Sequence, residues 1–211
     1  MTRTPLTAPL FAATALLVVP ALSGCVAAVV AGGAAVGIAA AQDRSMGAAF
    51  DDTATYSAIK GRLLSRGVRE FGEVDVQVVR GFVLLSGRVT TEEEKATAEH
   101  IARHTEGARE VANELLVQRP GGVLNNLNDE WITKSVQAQH IASPHVRAVN
   151  IVVETYNGVV YLLGTARTED ELRHAAEIAS RTSGVQRVVS YVELIGHELG
   201  PATTVQTGPA Q

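Results

Sequence analysis

Gly81-Phe-Val-Leu-Leu-Ser-Gly87 and Gly158-Val-Val-Tyr-Leu-Leu-Gly164 are one stretch met twice, 77 residues apart. At that single offset Asp52–Val117 falls on Asp129–Leu194 without a gap. Thr91-Glu-Glu-Glu94 meets Thr168-Glu-Asp-Glu171, Ile101-Ala102 meets Ile178-Ala179, and Gly107 meets Gly184. Coincidences of this density at a fixed spacing mark an internal duplication. With only two copies of a long unit, the chain is a tandem pair and not a solenoid.

Each copy yields the same elements. Residues 52–65 and 129–142 start on an Asp suited to an N-cap and carry helix spacing, with Ile132, Val136 and Ile141 as the expected core stripe. Val74, Val76 and Val78 alternate with polar Asp75 and Gln77, and Ile151, Val153 and Thr155 repeat the spacing, which predicts half-buried strands. Arg80-Gly81 and Asn157-Gly158 follow as two-residue hairpin turns. The next strands, 82–88 and 159–165, are almost wholly apolar, as in strands covered on both faces. Thr91-x-x-Glu94 and Thr168-x-x-Glu171 read as capping boxes. They open helices that bury Ala98, Ile101 and Ala102, and Ala175, Ile178 and Ala179. After Gly107 and Gly184, final strands at 109–117 and 186–194 complete an α-β-β-α-β unit. The expected fold class is α+β: two tandem domains, each a small mixed sheet packed by two helices.

Composition narrows the function. The net charge is −4, and without the segment 1–24, whose only charged side chain is Arg3, it is −5. No basic run is present, which disfavours nucleic acid as a partner. One cysteine, Cys25, excludes an internal disulfide and a multi-thiolate zinc site. No nucleophile elbow, P-loop, dinucleotide fingerprint or His-Glu-x-x-His motif occurs, so neither an enzyme nor a cofactor is expected. His100 and His104, four apart on a helix, lack a third metal ligand. Lys60, Arg62 and Arg66 read as a solvated face or as a second patch for phosphates.

The N-terminus reads as a signal peptide: Arg3, an apolar Leu10–Val19, then Pro20 and Leu22-Ser-Gly-Cys25. This end resembles the lipobox of bacterial lipoproteins, which implies cleavage before Cys25 and acylation of that cysteine. The alternative is an uncleaved anchor over 6–41. The resulting expectation is a signal peptide at 1–24 and a lipidated Cys with an Ala/Gly-rich spacer at 25–50. A first domain at 51–119, a linker at 120–128, a second domain at 129–196 and a tail at 197–211 follow. Val26 is not the aspartate associated in lipoproteins with inner-membrane retention, so the resemblance implies the outer membrane, with the domains on its periplasmic face.

The duplicated unit, with its Gly-x-Val-x-Leu-x-Gly hairpin, resembles the BON-domain family. The lipobox, spacer, Arg44-Ser-x-Gly47, Asp51-Asp52 and two such units together resemble its outer-membrane lipoproteins. That resemblance implies noncatalytic work: binding anionic phospholipid, supporting outer-membrane integrity, and association with the β-barrel assembly machinery. Trp131, the only tryptophan, has Ala54 as its counterpart, so the shared core does not require it. It suits either a bilayer interface or a seat against the other copy or over the edge of the core. The resemblance favours the membrane, with Trp131, Lys134 and Ser135 as phospholipid contacts. His140 and Arg147 are further candidates to attract headgroups. A protein-interaction scaffold, with lipid only as tether, is the competing class.

Overall fold

A computed structural model describes residues 46–118 and 124–195. Cys25, the lipobox, the spacer and the tail lie outside the described residues. The first copy runs α1 (Met46–Arg66), α2 (Val68–Phe71), β1 (Val74–Val79), β2 (Phe82–Val89) and α3 (Glu92–Arg103). It ends on β3 (Glu110–Asn113) and β4 (Leu116–Val117). The second runs α4 (Leu124–Ala142), a 3-10 turn (Ala148–Asn150), β5 (Ile151–Tyr156), β6 (Val159–Ala166), α5 (Glu169–Arg181) and β7 (Arg187–Leu194). The α+β reading therefore holds.

The duplication extends to register. β1 and β2 are antiparallel with Val74 opposite Gly87, and β5 and β6 are antiparallel with Ile151 opposite Gly164. The last strand of each copy lies parallel beside the second, Phe82 opposite Glu110 and Val159 opposite Arg187. In the first copy that strand is interrupted at Glu114-Leu115 and resumes with Arg88 opposite Leu116.

The turns show why the sequence folds this way. Arg80 and Gly81, and Asn157 and Gly158, all have positive φ, which is the type I′ turn that matches strand twist. Asp52 and Asp129, expected as N-caps, lie within α1 and α4, both of which begin earlier. Each is buried and grips the hairpin of its own copy instead. Asp52 accepts from the N–H groups of Arg80 and Gly81, both at 2.8 Å. Asp129 accepts from those of Asn157 at 2.7 Å and Gly158 at 2.9 Å. A carboxylate thus ties the first helix to the turn on which the sheet is hinged.

The helix starts are also only partly alike. At α3 the capping box closes in both directions: Glu94 N–H donates to Thr91 Oγ1 at 3.1 Å, and Thr91 N–H donates back at 3.2 Å. At α5 the Glu171 N–H donates to Thr168 Oγ1 at 3.1 Å, but the Glu171 carboxylate reaches Arg167 N–H at 2.9 Å and Arg147 N–H at 2.7 Å. That second bond fastens α5 to the turn leading into β5.

Each sheet has two buried faces. One packs on its own helices: Ile59, Leu63, Val74, Val76, Val83, Leu85 and Ala102 in the first copy, and Ile132, Val136, Ile151, Val153, Leu162 and Ala175 in the second. The opposite faces meet each other, with Val79, Phe82 and Leu84 against Tyr161, Leu163 and Val189. Phe82 and Tyr191 rings lie 5.0 Å apart. The order is helices, sheet, sheet, helices, and this is why strands 82–88 and 159–165 are apolar throughout.

Equivalent positions touch across this interface, the mark of a two-fold contact built into one chain. Gln77 Nε2 donates to Glu154 at 3.1 Å, and Tyr191 OH donates to Glu114 at 2.6 Å. Each pair is separated by the repeat offset of 77. Burial raises the Glu154 carboxyl to about 7, and the like charge of Asp75 adds to the shift. The folded protein holds this proton more tightly than the unfolded chain, whose ordinary value is 4.5. Its contribution is therefore full below 4.5 and is lost as pH rises through about 7. Glu154→Gln, which keeps the bond from Gln77, is expected to raise stability at pH 8 by about 3 kcal/mol and at pH 5 by less than about 1 kcal/mol. Urea unfolding at the two pH values measures it, and an equal effect at both would assign Glu154 no titrating role.

Candidate lipid-contact helix

Helix α4 packs Ile132, Val136 and His140 inward, a run of i, i+4 and i+8. The opposite face is exposed yet largely apolar. Leu127 is 67% exposed, Trp131 54% and Ile141 75%, with exposed Ala138 between them. Steps of three and four residues keep these side chains in one stripe about 21 Å long. Trp131 is therefore not seated in either core or between the copies. Lys134 stands on the same stripe, 3.5 Å from Glu130, in an exposed i, i+4 pair that contributes little to stability. Ser135 borders it, half-buried.

The first copy does not repeat Trp131, Lys134 or the exposed Ile141. At the repeat offset Trp131 is matched by Ala54, Lys134 by Ser57, Ala138 by Gly61 and Ile141 by half-buried Leu64. The fold does not require Trp131 or Lys134, since the first copy forms the same helix without them.

Two sequence expectations need correction. Ile141, placed in the core stripe, is on the surface, and His140, offered to headgroups, is 1% exposed inside the second core. From Val136 a step of four returns to the buried face, whereas a step of five swings about 140° away from it. Polarity favoured the wrong member of the pair. Arg147 is half-buried at the 3-10 turn, its N–H held by Glu171. Leu127 was missed because α4 starts at Leu124, inside the stretch read as linker. Its spacing of four from Trp131 was the available signal.

Other candidates resolve into structure. Lys60 donates to the Val74 carbonyl. Arg62 donates to the His104 carbonyl at 3.0 Å and to Thr105 Oγ1 at 3.1 Å, so these two cations brace α1. His100 and His104 stack with ring centroids 4.0 Å apart, and His104 Nδ1 lies 2.8 Å from the His100 carbonyl. Among the described residues no three His, Cys, Asp or Glu side chains converge as a metal site. Nor, among them, is any helix long and apolar enough to cross a membrane.

Comparison with known proteins agrees with this architecture. The profile of the BON domain matches residues 51–119 and 128–196. The chain is 34% identical to outer membrane lipoprotein DolP of Haemophilus influenzae over 169 residues, 80% of this chain and 87% of that protein. It is 29% identical to the 21 kDa hemolysin of Actinobacillus pleuropneumoniae, over 72% of this chain and 78% of that one. It is also 28% identical to osmotically-inducible protein Y of Escherichia coli, over 66% and 70% respectively. With the profile found twice and a duplicated α-β-β-α-β fold in register, the chain belongs to the BON-domain family.

Proposed function

We propose that this is a noncatalytic, lipid-anchored outer-membrane protein, acylated at Cys25, whose second BON domain rests α4 on anionic phospholipid at the periplasmic face. The single observation that carries the contact is the Leu127-Trp131-Ile141 stripe, exposed in the second copy and centred on a Trp that the first copy replaces by Ala54. A Trp with an apolar body and a wet N–H suits the depth of the headgroups. Lys134 supplies a positive charge beside it, within a chain whose overall charge is negative. The relative named an outer membrane lipoprotein supports the location and the anchor. An anchor followed by a spacer of about sixteen residues holds the domains close to the leaflet, so a weak contact suffices. Support of outer-membrane integrity is part of the same reading, and the β-barrel assembly machinery is its proposed protein partner.

Residues 42–211, which carry both domains without the lipobox cysteine or the apolar N-terminal segment, test the contact by cosedimentation with vesicles. Binding to vesicles rich in anionic lipid is expected, with little binding to neutral ones. Trp131→Ala is expected to weaken it about tenfold, the loss of one half-buried aromatic anchor. Unchanged binding in Trp131→Ala would place the contact elsewhere. No binding to either vesicle, with retention of an envelope protein in pull-downs, would favour the scaffold.

A further inference from the structure

His140 lies in the second core at a position where the first copy holds Leu63, itself fully buried. A leucine there needs no partner. The imidazole has one: Nε2 lies 3.1 Å from the Ala175 carbonyl of α5. A carbonyl only accepts, so Nε2 carries the hydrogen and Nδ1 presents its lone pair. That Nδ1 is buried and has no hydrogen-bond partner. We propose that His140 is a proton-operated latch on α4, closed when neutral and released when Nδ1 takes a proton.

The surroundings offer a proton on Nδ1 no compensation. On α5, Glu171 is spent on the Arg147 and Arg167 N–H groups, Asp170 pairs with Arg173, and Glu177 pairs with Arg181. His174 of the same helix stacks on His145, their ring centroids 4.8 Å apart. On β5, Glu154 points into the interface between the sheets, against Gln77. On α4 itself, Asp129 is committed to the hairpin and Glu130 to Lys134. What acts on the ring is burial, which lowers its affinity for a proton, and the Ala175 carbonyl, which opposes that more weakly. An imidazolium would therefore be buried without a counter-charge, and separation of α4 from α5 relieves it.

The direction follows from linkage. The opened state binds the proton at the ordinary value of 6.5 and the closed state resists it. The contribution to stability is full above 6.5 and is lost as pH falls below it. From pH 7 to pH 5 a single such proton shifts the balance toward opening, by at most about 25-fold. The first copy, with Leu63 at this position, has no such pH dependence. The latch does not depend on the lipid reading, although it acts on the helix that carries the exposed stripe.

Hydrogen exchange of the full chain in detergent, corrected for intrinsic rates and read peptide by peptide, tests this at pH 7 and pH 5. Protection of α4 is expected to fall severalfold at pH 5, up to that ceiling, while α1 stays protected. His140→Leu, which installs the side chain that the first copy already buries at this position, should abolish the acid response. His140→Gln, which can keep a donor toward Ala175 without titrating, should do the same should leucine pack badly. An acid response of α4 that persists in both variants overturns the proposal. So does a His140 ring that titrates near 6.5 in the folded chain by carbon-detected resonance.

Discussion

Leu163→Asp is expected to part the two BON domains while each keeps its own core. Leu163 is fully buried between the sheets, beside Leu84, and on the face of β6 opposite to Leu162. A carboxylate at this depth sits among the apolar side chains of both sheets, and its burial costs about 4 kcal/mol or more. Separation lets water reach it without unpacking the helices from either sheet. Scattering should then report an expanded chain with the helix and strand content retained. Leu162→Asp supplies the contrast, because Leu162 points at Val136 and Ala175 within the second core. There the charge is relieved only by unfolding that domain. If Leu163→Asp left the chain compact and as stable as before, the apolar contact between the sheets would contribute little. If it lost secondary structure to the same extent as Leu162→Asp, the two faces would not be independent.

The parting also matters for stability, since a unit of about seventy residues has a small core and gains from a second buried face. Glu114 belongs to this balance. It accepts from Tyr191 OH at 2.6 Å and lies 3.5 Å from Tyr161 OH, and burial pushes both phenols up, so they stay protonated donors. The interface thus satisfies a half-buried carboxylate of the first copy with hydroxyls of the second.

How far the sequence carried this picture can be judged from particular residues. The offset of 77 fixed the element order, because strand and helix patterns repeated in phase and the Asn157-Gly158 turn left little choice of hairpin. The apolar runs of β2 and β6 signalled two-sided burial, but no pattern states what covers a second face. That the cover is the other copy emerges only when Gln77 meets Glu154 and Glu114 meets Tyr191. Trp131 was legible as a surplus to the fold, since Ala54 serves in its place. Its companions were not: Ile141 looks like core from its side chain alone, and helical phase decides otherwise. His140 is the reverse, a polar residue that the same phase turns inward.

Asp129 was misread for a related reason, and its removal has the second large effect. An Asp before an apolar helical run is an N-cap signature, but α4 starts five residues earlier and leaves Asp129 in its second turn. From there the buried carboxylate takes the N–H groups of Asn157 and Gly158 at 2.7 and 2.9 Å. Those donors belong to a turn with φ of 49° and 74°, whose amides point away from the strand ladder and toward α4. Asp129→Ala leaves both without an acceptor, and two bonds to a charged oxygen pair lost together cost about 3 kcal/mol. Trp131, two residues along the same helix and the only tryptophan, provides a fluorescence reading of the second domain alone. Its urea midpoint is expected to fall sharply in Asp129→Ala. In Asp129→Asn it should fall less, because one acceptor oxygen remains while the amide NH2 faces a donor. Asp52→Ala, which removes the same grip on Arg80 and Gly81, should weaken the first domain and move the tryptophan transition mainly through the shared sheet interface. Equal midpoints for Asp129→Ala and the unaltered chain would mean that water satisfies the turn, and that the carboxylate is not the tie between helix and hairpin.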